Sequence, residues 1–190
     1  MTADGLEVLD HLVLGWRRDG ERRRFVPGFD PLSGGTRSAV LVLMQSPGPA
    51  TVARGDDAIC AEDNPGPTAT AYRRAREESG LRRDQVLRWN LVPWAIPGSP
   101  TSSDIEEGRL ALGELLPHLP RLAAIVTFGT AALDGVMRHL TLAEAPIVVP
   151  VLAAPHPSPA NGRHRAQQHH RAVQALRLAA AFDPDAEGPR

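Results

Sequence analysis

The chain has 190 residues, a length that suits one domain and is too short for two. Its charge nearly balances, with 21 basic residues against 22 acidic ones, and every basic residue is Arg because the sequence contains no Lys. These figures exclude a generically basic nucleic-acid coat and any mechanism that needs a lysine, such as a Schiff base or a Walker-type phosphate loop.

Four short apolar runs alternate with helical stretches along the chain. In chain order the pattern predicts a helix over 6–17, a strand over 38–44, a helix over 68–79, a strand over 85–92, a helix over 103–116, a strand over 122–128, a helix over 130–140, a strand over 146–153 and a helix over 164–182. Apolar runs with little polar alternation are typical of strands that are covered on both faces.

The alternation of strands and helices predicts one α/β domain over 1–182. We expect three α/β/α layers around a central four-stranded, mainly parallel sheet with right-handed crossovers. An acidic segment containing Pro and Gly follows, and its composition predicts a disordered tail over 183–190.

Several classes of cofactor and location are excluded by composition. Cys60 is the only cysteine, so one chain cannot hold a four-cysteine iron–sulfur cluster. His164, His169 and His170 lack metal-site spacing, and we interpret them as a solvated helix face with no metal. No apolar run approaches the ~20 residues of a membrane span, and the acidic chain start is unlike a secretory signal. The sequence therefore predicts a cytoplasmic protein without membrane contact.

Polar groups in proline-stiffened loops follow three of the four predicted strands. A Gln-Ser-Pro-Gly-Pro segment at 45–49 follows the first strand, Asn90 lies at the end of the second, and a His-Pro-Ser-Pro segment at 156–159 follows the fourth. Because the carboxyl ends of parallel strands meet at one edge of a sheet, the pattern predicts a site there. Its flanking prolines hold His156 in an extended geometry.

The order of these segments resembles the uracil-DNA glycosylase superfamily. In that family a first motif follows the first strand, an Asn ends the second, a Gly follows the third and His-Pro-Ser-Pro follows the fourth. Here those places are taken by 44–49, Asn90, Gly129 and 156–159. The resemblance covers about 38–177 and implies a monofunctional enzyme that removes uracil, or a related deaminated base, from DNA. It also implies a monomer that needs no cofactor.

The resemblance implies roles for particular residues. His156 would donate to a carbonyl oxygen of the departing base, and Asn90 would read the amide edge of the pyrimidine. Since the base must leave the duplex stack before its glycosidic bond can be reached, a pocket has to receive it. Further substrate contacts would come from Ser46, Pro47, Gly48, Asn64 and Ser158.

The residue that positions the attacking water is left open between two candidates. Several branches of the family carry an Asp or Asn where this chain has Ser46, a weaker acceptor without charge. Asp63, which resembles the arrangement of a branch with a downstream Asp, is the first candidate, and Gln45 is the second. Arg163 and Arg165, together with Arg54, are predicted to contact DNA phosphates.

Departures from the family pattern keep other functions open. The first motif begins with Met44 in place of Gly, and because no aromatic residue lies between 45 and 72, Trp94 or Phe128 would have to stack on the base. One alternative is a nucleic-acid or nucleotide binding protein that keeps this fold with little or no catalysis. Another is an enzyme acting on free nucleosides, which would need no Arg facing a DNA groove.

Overall fold

The computed structural model describes residues 3–19, 22–157 and 164–185. Within these ranges no helix is both long enough and apolar enough to cross a membrane. The elements of the described chain are α1 (Ala3–Trp16), β1 (Arg18–Asp19), β2 (Arg22–Arg23), β3 (Val40–Met44), α2 (Pro49–Val52), α3 (Pro67–Ser79), β4 (Val86–Asn90), α4 (Ser102–Leu115), β5 (Ala124–Phe128), α5 (Thr130–Leu142), β6 (Val151–Ala154) and α6 (Arg165–Ala180).

The central sheet has the order β4-β3-β5-β6, and all four of its strands are parallel. Met44 of β3 lies opposite Asn90 of β4, and Phe128 of β5 lies opposite Ala154 of β6. The chain leaves β3 toward one side of the sheet and leaves β5 toward the other. This creates a topological switch point between them, where open α/β sheets bind ligands. The predicted three-layer α/β/α class is confirmed.

Two apolar cores lie on opposite faces of this sheet because successive strand side chains point to opposite sides. Leu41, Leu43 and Trp89 belong to the core that also takes residues from α1, α4 and α5. Val40, Val42 and Met44 belong to the second core, which includes side chains from α3 and α6. β1 and β2 form a separate two-stranded antiparallel ribbon.

Local signals fix the ends of the helices that carry the site. α3 begins with Pro67 and ends at Gly80, whose φ of +81° is the left-handed conformation expected of a glycine helix stop. α4 is capped by Thr101, two residues before the predicted start at 103: Thr101 Oγ1 accepts from the Asp104 N–H, and Asp104 Oδ2 accepts from the Thr101 N–H at 2.8 Å.

Two predicted segments differ from the structure. The strand predicted over 146–153 is reduced to Val151–Ala154, since Pro146 and Pro150 have no N–H to donate to a sheet. The tail predicted to be disordered from 183 begins with an ordered contact, because Asp183 is buried and accepts a hydrogen bond from Gln85 Nε2 at 2.9 Å. Arg121 also pairs with Asp185.

Candidate active site

A cavity of about 270 Å³ opens at the carboxyl ends of β3 and β4. Its walls come from the loop after β3, the loop that precedes α3, the last residues of β4 and the residue that follows Pro155. The polar groups among its lining are Ser46, Thr51, Cys60, Asn64, Thr68, Arg88, Asn90 and His156.

A wider groove of about 710 Å³ adjoins this cavity. Six residues line both spaces and therefore form the border between the cavity and the groove: Ser46, Pro47, Gly48, Pro49, Thr68 and His156. Gln45 lines the groove and not the cavity. A ligand with a small planar group could therefore place that group in the cavity and the rest of the molecule in the groove.

His156 is held at this border by its neighbours on β5 and β6. The Gly129 N–H donates to Ala154 O at 2.9 Å, which ties the end of β5 to the end of β6. Gly129 has φ +90°, and a Cβ at this position would lie 3.4 Å from His156 Cβ. Burial, with the nearby Arg88 charge as a second cause, lowers the pKa of His156, which keeps its ring neutral at neutral pH.

Asn90 lies on the cavity wall with only 5% of its surface exposed. Pairing of β3 with β4 continues past Asn90, because the Leu91 N–H donates to Met44 O at 2.8 Å and the Val92 N–H donates to Gln45 O at 3.0 Å. Asn90 Nδ2 lies 3.8 Å from Cys60 Sγ. The side-chain amide thus faces the cavity from a rigid strand end.

Asn64 reaches the same cavity from the loop before α3. It is 7% exposed, and its Nδ2 donates to Ile59 O at 2.7 Å, which fixes the amide within its own loop. Arg54 is exposed just after α2, and its Nη1 lies 3.5 Å from Asn64 Oδ1. The structure therefore brings Asn64 to the cavity and Arg54 to its edge.

Asp63 does not reach the cavity or the groove, contrary to its predicted place beside the reacting sugar. Its side chain is 51% exposed and pairs with Arg83 Nη1 at 2.6 Å and with Arg73 Nη1 at 3.4 Å. The hydrogen bond from Arg83 lowers the pKa of Asp63. These two guanidinium groups hold the carboxylate on the outer side of its loop. Among the described residues, no Asp or Glu lines the cavity or the groove.

Arg88 is a cavity residue that sequence reasoning missed. It precedes Asn90 by two positions on β4, so both side chains point to the same face of the sheet. Arg88 Nη1 donates to Ala61 O at 3.0 Å, and its guanidinium lies 5.2 Å from the centre of the Tyr72 ring. The available signal was an Arg inside an otherwise apolar strand, in step with the Asn at the strand end.

The aromatic residues expected to stack on a base lie elsewhere. Trp94 is buried beneath the Arg24 guanidinium, which lies 4.2 Å from the ring centre. Phe128 is fully buried and meets Tyr72 edge-on, with the ring centres 6.1 Å apart. Neither lines the cavity, whose flat apolar surfaces come instead from prolines. These are Pro47, Pro49, Pro65 and Pro67.

One predicted substrate-binding residue and one predicted DNA-contact residue lie in the segment after Pro157. Ser158 and Arg163 lie outside the described residues, and Arg165 is the exposed first residue of α6. His169, predicted on a solvated face, has its Nε2 2.6 Å from Glu78 Oε2 of α3. In the described ranges, no three His, Cys, Asp or Glu side chains lie close enough together to hold a metal ion.

The fold and the site together define an α/β/α protein whose small cavity at the carboxyl ends of the strands presents a neutral His and a buried Asn. A sequence model described as the uracil DNA glycosylase superfamily matches residues 57–177, more than half of the chain. The chain belongs to this superfamily, and membership supports a glycosylase-type activity on DNA. The match begins after β3 and its following loop. A comparison with curated proteins finds no match.

Proposed function

We propose that the protein is a monofunctional DNA glycosylase that hydrolyses the N-glycosidic bond of uracil, or of a related deaminated base, and leaves an abasic site. One observation carries this proposal: Asn90 and His156 line a single cavity of about 270 Å³ in a chain of this superfamily. We propose further that it acts as a cytoplasmic monomer and uses neither a cofactor nor an iron–sulfur cluster.

The chemistry requires groups that stabilise a departing base anion. Breaking the bond leaves negative charge on the base and positive charge on the sugar. In the proposal, neutral His156 donates to a carbonyl oxygen of the base, a role that its lowered pKa supports. Asn90 supplies a donor and an acceptor to the amide edge of the base. Ser46, Pro47, Gly48, Asn64 and Ser158 complete the proposed substrate contacts.

The attacking water needs a polar residue on the sugar side. We assign it to Gln45, with Ser46 next to it, because Gln45 lines the groove that adjoins the base cavity. The ion pairs of Asp63 with Arg73 and Arg83 argue against the first candidate. Arg54, Arg163 and Arg165 are the proposed phosphate contacts.

A second function is favoured by the composition of the cavity. No carboxylate among the described residues lines the cavity or the groove, so the sugar cation has no negative side chain to stabilise it there. A protein of this kind would bind a flipped base or a nucleotide with little or no catalysis.

Incubation of the purified protein with end-labelled oligonucleotides separates the two functions. Uracil is placed opposite G, opposite A or in a single strand, and abasic sites are revealed by alkaline cleavage. We expect cleavage by the wild type and a loss of about 100-fold or more in His156→Ala, the scale for removing one donor to a developing anion. His118→Ala is the matched control, since His118 lies before β5 at the opposite edge of the sheet.

Binding without excision would overturn the proposed glycosylase activity. Uracil-dependent binding without alkali-labile strand cleavage, at enzyme in large excess over DNA, leaves only the binding function. If the wild type is active, Gln45→Ala and Asp63→Asn test the water assignment. A larger loss in Asp63→Asn than in Gln45→Ala contradicts the assignment to Gln45.

A further inference from the structure

Among the described residues of a cluster of arginines and carboxylates beside the cavity, Arg88 lacks the direct ion pair that Arg76 and Arg83 have. Arg83 donates to Asp30 through Nε at 3.0 Å and Nη2 at 2.8 Å. Arg76 donates to both oxygens of Glu62, at 2.7 and 2.8 Å. Within the described part of the chain, Arg88 forms no ion pair within 4.0 Å, and its Nε is buried without a hydrogen-bond partner.

The groups in direct contact with Arg88 are neutral, and the carboxylates that line a small pocket with it, Asp30 and Glu62, are each paired with another arginine. Its Nη1 approaches the Ala61 carbonyl and the Cys60 thiol, and its guanidinium lies over the Tyr72 ring. Burial raises the pKa of both Cys60 and Tyr72, so neither group carries a negative charge at neutral pH. A partly buried charge with no carboxylate in direct contact is costly unless a negative group comes to lie beside it.

The side chain of Arg88 lines the cavity together with Asn90 and His156. The Arg88 side chain therefore forms part of the wall of that space, and its strand is fixed by pairing with β3. A positive charge in a site shielded from water acts most strongly on charge that forms during a reaction.

We propose that Arg88 is a further catalytic residue, which stabilises the negative charge of the departing base. This inference rests on the proposed function. The C1′–N bond breaks and its electron pair goes to the base, while a water oxygen forms the new bond to C1′ and its proton passes to solvent. Arg88 keeps its own proton throughout, and the released anion is later protonated by solvent.

The test compares two leaving groups in the same oligonucleotide, uracil and 5-fluorouracil. Fluorine withdraws electron density, so the 5-fluorouracil anion needs less help from the enzyme. For Arg88→Gln we expect single-turnover excision of uracil to fall about 100-fold, and excision of 5-fluorouracil to fall about 10-fold or less. Arg88→Lys, which keeps the charge, should recover part of the uracil rate.

Arg109→Gln is the matched control, because Arg109 is also partly buried and pairs with Glu106 on α4, away from the cavity. It should change both rates by the same small factor. A merely structural role for Arg88 predicts equal losses on the two bases, and that result overturns the inference. Failure of the wild type to excise either base instead overturns the proposed function.

A binding measurement tests Arg88 without any turnover. Free 5-fluorouracil is titrated into wild type, Arg88→Gln and Arg88→Met between pH 6 and 9, where the base loses its proton. We expect affinity to rise with pH in the wild type and to stay level or fall in both variants. The same pH dependence in all three proteins rejects the role, whether or not the protein excises uracil.

Discussion

The position of His156 depends on a neighbour that has no side chain. Gly129 has φ +90° and ψ 168°, a backbone conformation that residues with a Cβ rarely adopt. Its Cα also lies close to the His156 side chain, so that an added Cβ would stand 3.4 Å from His156 Cβ. One glycine therefore both turns the chain into α5 and leaves room for the histidine.

Gly129→Ala should lower both stability and activity. The strained backbone costs about 1–3 kcal/mol of unfolding free energy. Displacing the histidine should cost about 10-fold in excision rate, since small misplacements of a reacting group are expensive. Thermal unfolding and single-turnover excision of uracil measure the two effects.

Gly80→Ala separates strain from displacement. Gly80 also has a positive φ, +81°, but an added Cβ there would meet nothing within 4 Å. We expect a similar loss of stability and an unchanged excision rate. Equal losses of activity in the two variants would show that Gly129 acts through stability alone.

At this scale the sequence predicted some of the residues that line the cavity and missed others for physical reasons. Asn90 is the last residue of a strand, and His156 lies just after another. Because the carboxyl ends of parallel strands all lie at one edge of the sheet, the positions of both residues could be predicted. Asp63 lies in a loop whose path depends on ion pairs with Arg73 and Arg83, and such pairs cannot be read from spacing. Arg88 lies within an apolar run, and a single charged residue in such a run is usually interpreted as exposed to solvent.

Packing of α4 against the end of β4 depends on a second close approach. A Cβ on Gly108 would lie 2.6 Å from the carbonyl oxygen of Leu91, the residue that follows Asn90. Gly135 of α5 likewise lies against the Leu91 side chain, with no room for a Cβ. Both helices thus press on the strand end that carries the cavity amide.

Gly108→Ala and Gly113→Ala should have opposite effects, although both lie in α4. Gly108→Ala forces the Leu91 carbonyl to move and should lower the free energy of unfolding by about 1–3 kcal/mol. In Gly113→Ala, the new Cβ would lie 3.6 Å from the His139 ring, which is an ordinary contact. The higher helix propensity of Ala should therefore raise the free energy of unfolding by about 0.5–1 kcal/mol. Denaturant unfolding of the three proteins gives the comparison, and a stabilised Gly108→Ala would contradict the close approach.

Elements were predicted well where a pattern was long and its end signals were local. α3 ends at the predicted Gly80, and the runs over 38–44 and 122–128 each contain the observed strand. The length of the strand predicted over 146–153 was too great, because apolar composition alone does not show which residues have an N–H to donate. The ordered contact of Asp183 depends on Gln85, far away in the sequence, and no local signal reports it.

Across the whole molecule the formal net charge is only −1, so DNA binding must rest on a local group of arginines. Many of the 21 are already engaged with carboxylates, as Arg76 and Arg83 are. Few phosphates can then be neutralised at once. We therefore expect a shallow dependence of DNA affinity on salt.

Fluorescence anisotropy with a labelled uracil-containing duplex, measured across a range of salt concentrations, tests this expectation. The slope of log affinity against log salt should be no steeper than about −6, because each neutralised phosphate contributes about −0.9. A steeper slope would mean that more arginines contact DNA than Arg54, Arg163 and Arg165 with a few neighbours.

The cavity is built from strands that lie far apart in the sequence. The two middle strands, β3 and β5, pair Val40 with Ala124, two residues that lie 84 positions apart in the sequence (124 − 40). Closing such a distance is slow, since the entropy of a long loop is lost before any contact forms. β6 pairs only with β5, and it is the last strand of the sheet along the chain. Because His156 follows this last strand, a nascent chain on the ribosome cannot complete the cavity until the residues after β6 have emerged.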